Sequence, residues 1–337
     1  MRDILDTLEG WIAQGREAAI ATVVETERSA PREPGSSMAV SDAGEIAGSV
    51  TGGCVEPAVY EHAQEVLGGG PPRLATFGIA DDEAFEVGLP CGGTVHIYVS
   101  RVDPAVVRAV AGAVREERPL ATLTTIEGPD AGAVRVVAPD DTMEAAERDL
   151  VTRGRAGVIA EGDERVFVSP FMPRPAMYVF GAIDHSAALA RMGRFLGYRV
   201  TVCDARGAFV TPERFPDVDE LVVAWPHEFL AGAPIDERTA VCVLTHDAKF
   251  DVPVLKVALD SPAGYIGAMG SSRTTERRNE RLREEGVTDE QLARIHAPIG
   301  LKIGSRTPEE VAVAIAAEVV ASMQPTAKEA RAARERV

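Results

Sequence analysis

The stretch 176–185, AMYVFGAIDH, decides the fold of the C-terminal half of this chain. A short apolar run that ends at a glycine and is followed by a helical pattern predicts a buried strand leading into a helix. The same order recurs: further strands are predicted over 199–204, 220–224, 239–245 and 264–268, with helices over 186–196 and 252–259. This strand–helix alternation predicts a Rossmann-like, doubly wound parallel sheet.

The last predicted helix has a clear start. Thr307 at the N-cap, Pro308 at the first helical position and Glu310 two residues later form a capping box. Its body, 311–323, is almost wholly apolar, so the helix is expected to be buried in the domain or in a dimer interface. A homodimer is one of the two arrangements that would cover this helix.

The N-terminal half has a different pattern, typical of a mixed α+β domain. Strands are predicted over 19–26, 37–40, 45–50, 73–79 and 94–100, with one helix over 55–67. Residues 104–170 predict helix, strand, strand, helix, strand, with turns over 127–130 and 161–163. The prolines at 170, 173 and 175 form a stiff linker. The predicted organisation is a cysteine-bearing domain over 1–100, a middle segment and linker over 101–172, a Rossmann-like domain over 173–325 and a tail over 326–337.

Composition excludes several classes of function. The chain has 337 residues, enough for two or three domains, and a net charge of −17. That charge disfavours binding to nucleic acid or to an anionic membrane, and no apolar run is long enough to span a bilayer. Four cysteines without a CxxC pair indicate a reducing compartment. We therefore expect a cytoplasmic protein.

Two cysteines stand out because glycines surround both. Cys54 lies in GSVTGGCVE (48–56) and Cys91 in GLPCGG (88–93). Glycine beside a thiol removes bulk and lets a ligand approach the backbone. Cys54 also precedes the predicted helix 55–67, whose positive end favours a thiolate and thus nucleophilic or metal-binding chemistry. The alternative is that both cysteines only line turns.

The first two strands of the predicted parallel sheet give evidence both for and against dinucleotide binding. Asp204 closes the second strand, where such a fold binds a ribose hydroxyl. The loop after the first strand, however, is GAIDHS, with Gly181 where the fingerprint has three glycines, and Asp184 would repel a pyrophosphate. An NAD(P)-dependent oxidoreductase therefore remains the alternative function, with a cysteine or His246 at the substrate.

Two other candidates follow later strands of that sheet. The stretch 267–274, GAMGSSRT, joins glycines and hydroxyls to a helix start, where free amides bind phosphate. His246 with Asp247 or Asp251 could act as a general base, unless Asp251 only caps the next helix. Neither HExxH nor clustered Cys/His spacing is present, so no metal-ion site is predicted.

Together these motifs resemble the xanthine dehydrogenase accessory factor family, which includes maturation proteins of aerobic carbon monoxide dehydrogenase. The likeness extends over nearly the whole chain. The residues that carry it are SAPR (29–32), GGCVE (52–56), LPCGG (89–93), LGYRV (196–200), Asp204, Arg206, Thr245, His246, Asp251, Gly267, Gly270, Ser271 and APIGL (297–301). The chain departs from the family at GAIDH (181–185), where GAGH-like residues are common, and in a thinner histidine segment after the fourth strand.

The resemblance implies a dimeric protein that binds molybdenum cofactor, keeps it for sulfuration and delivers it to a molybdenum hydroxylase of the xanthine or carbon monoxide dehydrogenase type. A cysteine desulfurase is then an expected partner. Soft thiolates suit such a centre, while arginine or a glycine loop would hold the phosphate. The predicted residues are Cys54, Cys91 and His246 for the chemistry, and Arg32, Gly52, Gly53, Glu56, Gly92, Gly93, Gly181, Asp204, Gly267, Gly270 and Ser271 for the cofactor.

Overall fold

The computed structural model describes residues 1–27, 32–78 and 93–323. The chain divides into two compact units on either side of the bond between Pro173 and Arg174. The predicted Cys91 and Gly92 lie outside the described residues. No helix in the described ranges has both the length and the apolar character that a membrane span requires.

The first unit begins with an antiparallel sheet of five strands in the order β3-β2-β1-β5-β4. One helix covers a face of this sheet, because Val59, Ala63 and Val66 pack against Val23 and Ile97. The elements are α1 (Leu5–Ala13), β1 (Ala18–Glu27), β2 (Ser37–Ser41), β3 (Ile46–Gly48), α2 (Glu56–Leu67), β4 (Arg73–Phe77) and β5 (Thr94–Arg101).

The rest of the first unit is a second antiparallel sheet, in the order β7-β6-β9-β8. Its elements are α3 (Pro104–Arg115), β6 (Leu120–Glu127), β7 (Val134–Val137), α4 (Ala145–Arg153), β8 (Gly157–Glu161) and β9 (Glu164–Phe171). The structure divides the single strand predicted after α4 at the turn predicted over 161–163, because β8 and β9 form a hairpin in which Glu161 pairs with Glu164. Gly162 has φ of 61°, which permits this two-residue turn.

The second unit contains a parallel sheet with the order β12-β11-β10-β13-β14-β15, as the strand–helix alternation predicts. The chain leaves β10 on one side and returns on its other side at β13, which makes the carboxyl ends of these two strands the switch point of the sheet. The elements are β10 (Ala176–Phe180), α5 (Asp184–Phe195), β11 (Arg199–Cys203), β12 (Glu220–Val222), α6 (Pro226–Gly232), β13 (Ala240–Val243), α7 (Ala248–Leu259), β14 (Tyr265–Ala268), α8 (Ser272–Glu284), α9 (Asp289–Leu292), β15 (Ile295–His296) and α10 (Pro308–Met323).

Both faces of the parallel sheet are covered. Alternate residues of β10 point to opposite faces, so that Val179 packs with Leu189 and Ile315 while Phe180 packs with Leu255. Continuous burial on two faces explains why these strands are apolar runs rather than alternating ones.

Helix α10 confirms its predicted capping box. The Glu310 amide donates to Thr307 Oγ1 at 3.2 Å, and the Thr307 amide donates to a Glu310 carboxylate oxygen at 3.1 Å. The expectation that the whole apolar body is buried within the domain is only partly met. Ile315 is buried, but Val313 is 46% and Val320 is 42% exposed.

Candidate functional site

Cys54 lies at the end of a glycine loop, immediately before helix α2. Val55 is the N-cap residue and Glu56 is the first residue of the helix, which confirms the predicted placement of the thiol. Cys54 is half-buried and packs against the apolar cluster beneath α2. The Cys54 thiol is free, and the residue is partly exposed to solvent.

The carboxylate of Glu56 folds back from α2 into this loop and accepts hydrogen bonds from five amides and two hydroxyls. Partial burial opposes ionisation, but the hydrogen bonds from Ser49 and Thr51 outweigh it and hold the pKa of Glu56 well below its ordinary value. The donors to Oε1 are Ser49 Oγ at 2.6 Å, Thr51 N and Gly52 N at 2.9 Å and Val50 N at 3.2 Å. The donors to Oε2 are Thr51 Oγ1 at 2.7 Å, Gly53 N at 2.8 Å and Val55 N at 3.2 Å.

This arrangement changes the predicted roles of the loop residues. The amides of Gly52 and Gly53 donate to Glu56 and are not free for a ligand. The Glu56 carboxylate faces the loop rather than solvent, which argues against the prediction that it contacts a cofactor. The two glycines still leave room outside the loop, because a Cβ at either position would meet no described atom within 4 Å.

The remaining predicted residues of the first unit are less closely tied to Cys54. Gly93 is buried and immediately precedes β5, whose Val95 belongs to the apolar cluster that Cys54 contacts. Arg32 is exposed. No hydrogen bond or ion pair found among the described residues joins Arg32 to the Cys54 loop.

In the second unit, Asp204 closes β11 as predicted, but its carboxylate points into the protein. Oδ2 accepts from the Ala182 amide at 2.8 Å and from Arg206 Nη2 at 2.7 Å, and Oδ1 accepts from Arg206 N and Nε at 2.9 Å each. Burial opposes the charge, but these donors lower the pKa of Asp204 below its ordinary value. The position that would accept a ribose hydroxyl is thus already saturated, which argues against the predicted ligand role of Asp204.

Two of the predicted glycines are explained by packing. A Cβ at Gly181 would lie 2.8 Å from Thr245 Cγ2, and one at Gly267 would lie 2.6 Å from Ile299 Cδ1 and from the Tyr265 hydroxyl. Both distances are below any real contact of a Cβ. The glycines therefore allow neighbouring segments to approach, and the space beside Gly267 that was predicted for a phosphate is filled by Ile299.

The start of α8 has part of the geometry predicted for a phosphate-binding helix start. Ser271 is the N-cap, and its Oγ accepts from the Thr274 amide at 3.2 Å. Gly270 has φ of 147°, and a Cβ there would lie 3.2 Å from Thr274. The residue that sequence reasoning missed is Arg278, which is 4% exposed and donates to the Met269 carbonyl at 2.9 Å. Arg278 lies one helical turn after Thr274, and helical side chains point toward the N-terminus of their helix. This spacing indicated that the Arg278 guanidinium could reach the start of α8.

The residues predicted as a general-base group after β13, His246 with Asp247 or Asp251, differ in their burial and contacts. His246 is exposed, and Asp247 caps α7 by accepting from the Lys249 amide at 3.1 Å. Asp251 is buried and bonded to the Thr245 hydroxyl, so the prediction that it caps the helix is wrong. Burial raises the pKa of Asp251. Across the described ranges, no group of three or more His, Cys, Asp or Glu side chains is arranged to hold a metal ion.

The fold and these sites define a class of protein. It is a two-unit α/β protein with a cysteine at the end of a glycine loop in its first unit and a Rossmann-like second unit. Residues 177–319 match the model described as the XdhC Rossmann domain, and residues 11–78 match the model of the XdhC and CoxI family. The two matches together span more than half of the chain. The chain belongs to the XdhC and CoxI family.

Relatives match over nearly the full length. The chain is 26% identical over 333 residues to a protein of Bacillus subtilis named as a probable xanthine dehydrogenase subunit, covering 93% of this chain and 95% of the relative. It is 29% identical over 319 residues to "Molybdenum cofactor insertion chaperone PaoD" of Escherichia coli, covering 94% and 87%. A crystal structure described as a xanthine dehydrogenase from Bacillus halodurans shares the fold, with a TM-score of 0.66 at 24% identity over 95% of each chain.

Proposed function

We propose that this protein binds molybdenum cofactor as cargo, keeps it for sulfuration and inserts it into a molybdenum hydroxylase of the xanthine or carbon monoxide dehydrogenase type. Family membership and full-length similarity to a relative named as a molybdenum cofactor insertion chaperone support this proposal. The comparisons give the NAD(P)-dependent alternative no support, and the saturated Asp204 weighs against it.

The observation that carries the proposal is the half-buried Cys54 thiol beside two open glycines. Thiolate sulfur is a soft ligand that suits a sulfur-rich metal centre. One cysteine cannot enclose a metal, so the cargo would keep its own sulfur ligands and remain transferable. Cys91 is proposed as a second thiol and lies outside the described residues.

For the phosphate of the cargo we propose Arg32 in the first unit. Arg32 is exposed, and within the described ranges its guanidinium has no hydrogen-bond or ion-pair partner. A guanidinium presents donors in a fork that matches two phosphate oxygens. The Gly270–Ser271 turn, with Arg278 behind it, is the corresponding candidate in the second unit.

The partners follow from this chemistry. A molybdenum hydroxylase would receive the cargo, and a cysteine desulfurase would supply the sulfur, both in the cytoplasm. A homodimer is proposed as well, because Val313 and Val320 leave part of the apolar helix α10 in solvent.

The experiment that tests the function loads purified protein anaerobically with molybdenum cofactor and then desalts it. Molybdenum is measured by mass spectrometry, and pterin by fluorescence after oxidation. We expect retention near one equivalent per chain, lost in Cys54→Ser and kept in the control Cys203→Ala, whose thiol is buried in the second unit. No retention by the parent protein would overturn the proposal, and full retention by Cys54→Ser would remove Cys54 from the site.

A further inference from the structure

We infer that Glu56 is a positioning residue, whose carboxylate completes the loop before α2 and sets the exposure of the Cys54 thiol. The inference rests on the proposed function in one respect, which is that the Cys54 thiol binds the cargo. It assigns Glu56 to the protein's own backbone rather than to the cofactor.

The contacts of a single oxygen carry the argument. Glu56 Oε2 accepts from Gly53 N at 2.8 Å and from Val55 N at 3.2 Å, the amides immediately before and after Cys54. Cys54 is therefore held on both sides by the same atom. Its backbone cannot rotate without breaking one of these hydrogen bonds.

The loop needs this support because of its backbone conformation. Gly52 has φ of 88° and Gly53 has φ of 124°, and glycine loses more conformational freedom on ordering than any other residue. No side chain in the described ranges packs against either glycine from outside. The carboxylate at the centre of the loop thus replaces the packing that would hold an ordinary turn.

The number of donors shows that Glu56 has little capacity left for a ligand. A carboxylate offers about four lone-pair positions, and Glu56 already receives seven donors. Its place in the first turn of α2 also suits a negative charge. An anion could bind the loop amides only by displacing Glu56, whereas the Cys54 thiol next to it remains available as a ligand.

The test removes the carboxylate and then replaces it from solution. In Glu56→Ala we expect amide hydrogen exchange at 51–55 to become about tenfold faster or more, because charge-assisted hydrogen bonds are lost. Alkylation of Cys54 by iodoacetamide, followed by peptide mass spectrometry, should rise several-fold for the same reason. Added acetate should slow both rates again by refilling the loop, which a merely structural defect would not allow.

Two further variants keep the test decisive. Glu61→Gln changes an exposed glutamate of the same helix and should leave both rates unchanged. Thr51→Val removes one hydroxyl donor to Glu56 and also the acceptor of a 3.3 Å hydrogen bond from the Val55 amide. It should raise both rates by less than is expected for removal of the whole carboxylate, so it tests the inference if Glu56→Ala fails to fold. Fluorescence of the buried Trp11 reports the state of the first unit. Exchange and alkylation at the parent rates in a folded Glu56→Ala would overturn the inference. Neither readout uses molybdenum cofactor, so the inference can fail or hold independently of the proposed function.

Discussion

The Ala182 amide donates a hydrogen bond to Asp204 Oδ2 at 2.8 Å, joining the loop after β10 to the end of β11. In a dinucleotide-binding fold, an acid at the end of the second strand binds the ribose of the ligand instead. Here the acid binds the protein, so an internal hydrogen bond joins the carboxyl ends of β10 and β11.

Replacing Asp204 by Ala should therefore destabilise the second unit. Asp204 is 2% exposed, and the change leaves the buried Ala182 amide without its acceptor. We expect the free energy of unfolding to fall by about 2–3 kcal/mol, in line with the loss of charge-assisted hydrogen bonds. Urea denaturation measures this, and Arg206→Ala should have a smaller effect because Arg206 is exposed. An unchanged urea midpoint in Asp204→Ala would contradict the structural role.

The same geometry predicts no response to nicotinamide nucleotides. Trp225 is 44% exposed and follows β12 at the carboxyl edge of the sheet, where a dinucleotide would lie. NADH and NADPH should leave its fluorescence unchanged, measured in Trp11→Phe to remove the signal of the other tryptophan. Saturable quenching would revive the oxidoreductase alternative.

The stability of the second unit should depend on pH through Asp204. Its folded pKa lies below the ordinary value of 3.8, so the unfolded chain binds more protons in this range and stability rises with pH. The contribution is complete above pH 3.8 and is lost as the pH falls below it. Unfolding experiments between pH 2 and pH 7 should show a weaker acid dependence in Asp204→Asn than in the parent, and equal dependence would argue against the assignment.

Gly267→Ala tests whether this glycine serves packing or a ligand. The added Cβ would lie 2.6 Å from Ile299 and from the Tyr265 hydroxyl, and overpacking of this kind costs about 1–3 kcal/mol. The matched control is Gly232→Ala, where a Cβ would meet nothing within 4 Å and stability should hold or improve. Thermal denaturation compares the two, and a neutral Gly267→Ala would show that the space is open after all.

Thr245→Val tests the buried Asp251. The Thr245 hydroxyl donates to this carboxyl group, and both residues are buried. Removing the hydroxyl leaves a buried acceptor unsatisfied, which costs about 1–3 kcal/mol. Thr245→Ser keeps the donor and should restore most of the loss in chemical denaturation. Unchanged stability in Thr245→Val would contradict the role of this hydrogen bond.

Local signals in the chain were sufficient for most of the fold. The alternation of apolar runs and helical patterns predicts the parallel sheet of the second unit, and Thr307 with Glu310 predicts the start of α10. Residues within one turn of each other make these contacts, so their spacing is enough. Gly162 and Asp163 indicated the turn of the β8–β9 hairpin, but the two short strands beside it were counted as one.

The chemistry of the site depended on contacts that sequence spacing does not reveal. The motif around Cys54 correctly located a thiol before a helix, yet the direction of the Glu56 side chain is set by how the loop folds around it. Asp204 and Gly267 illustrate the same limit, since Ala182 and Ile299 reach them from distant parts of the chain. The sequence alone determined most of the elements and where the thiol lies, because those follow from local periodicity and capping. Only the tertiary structure decided whether each polar group faces a ligand or the protein, because buried donors and acceptors pair with whichever partner the packing brings within reach.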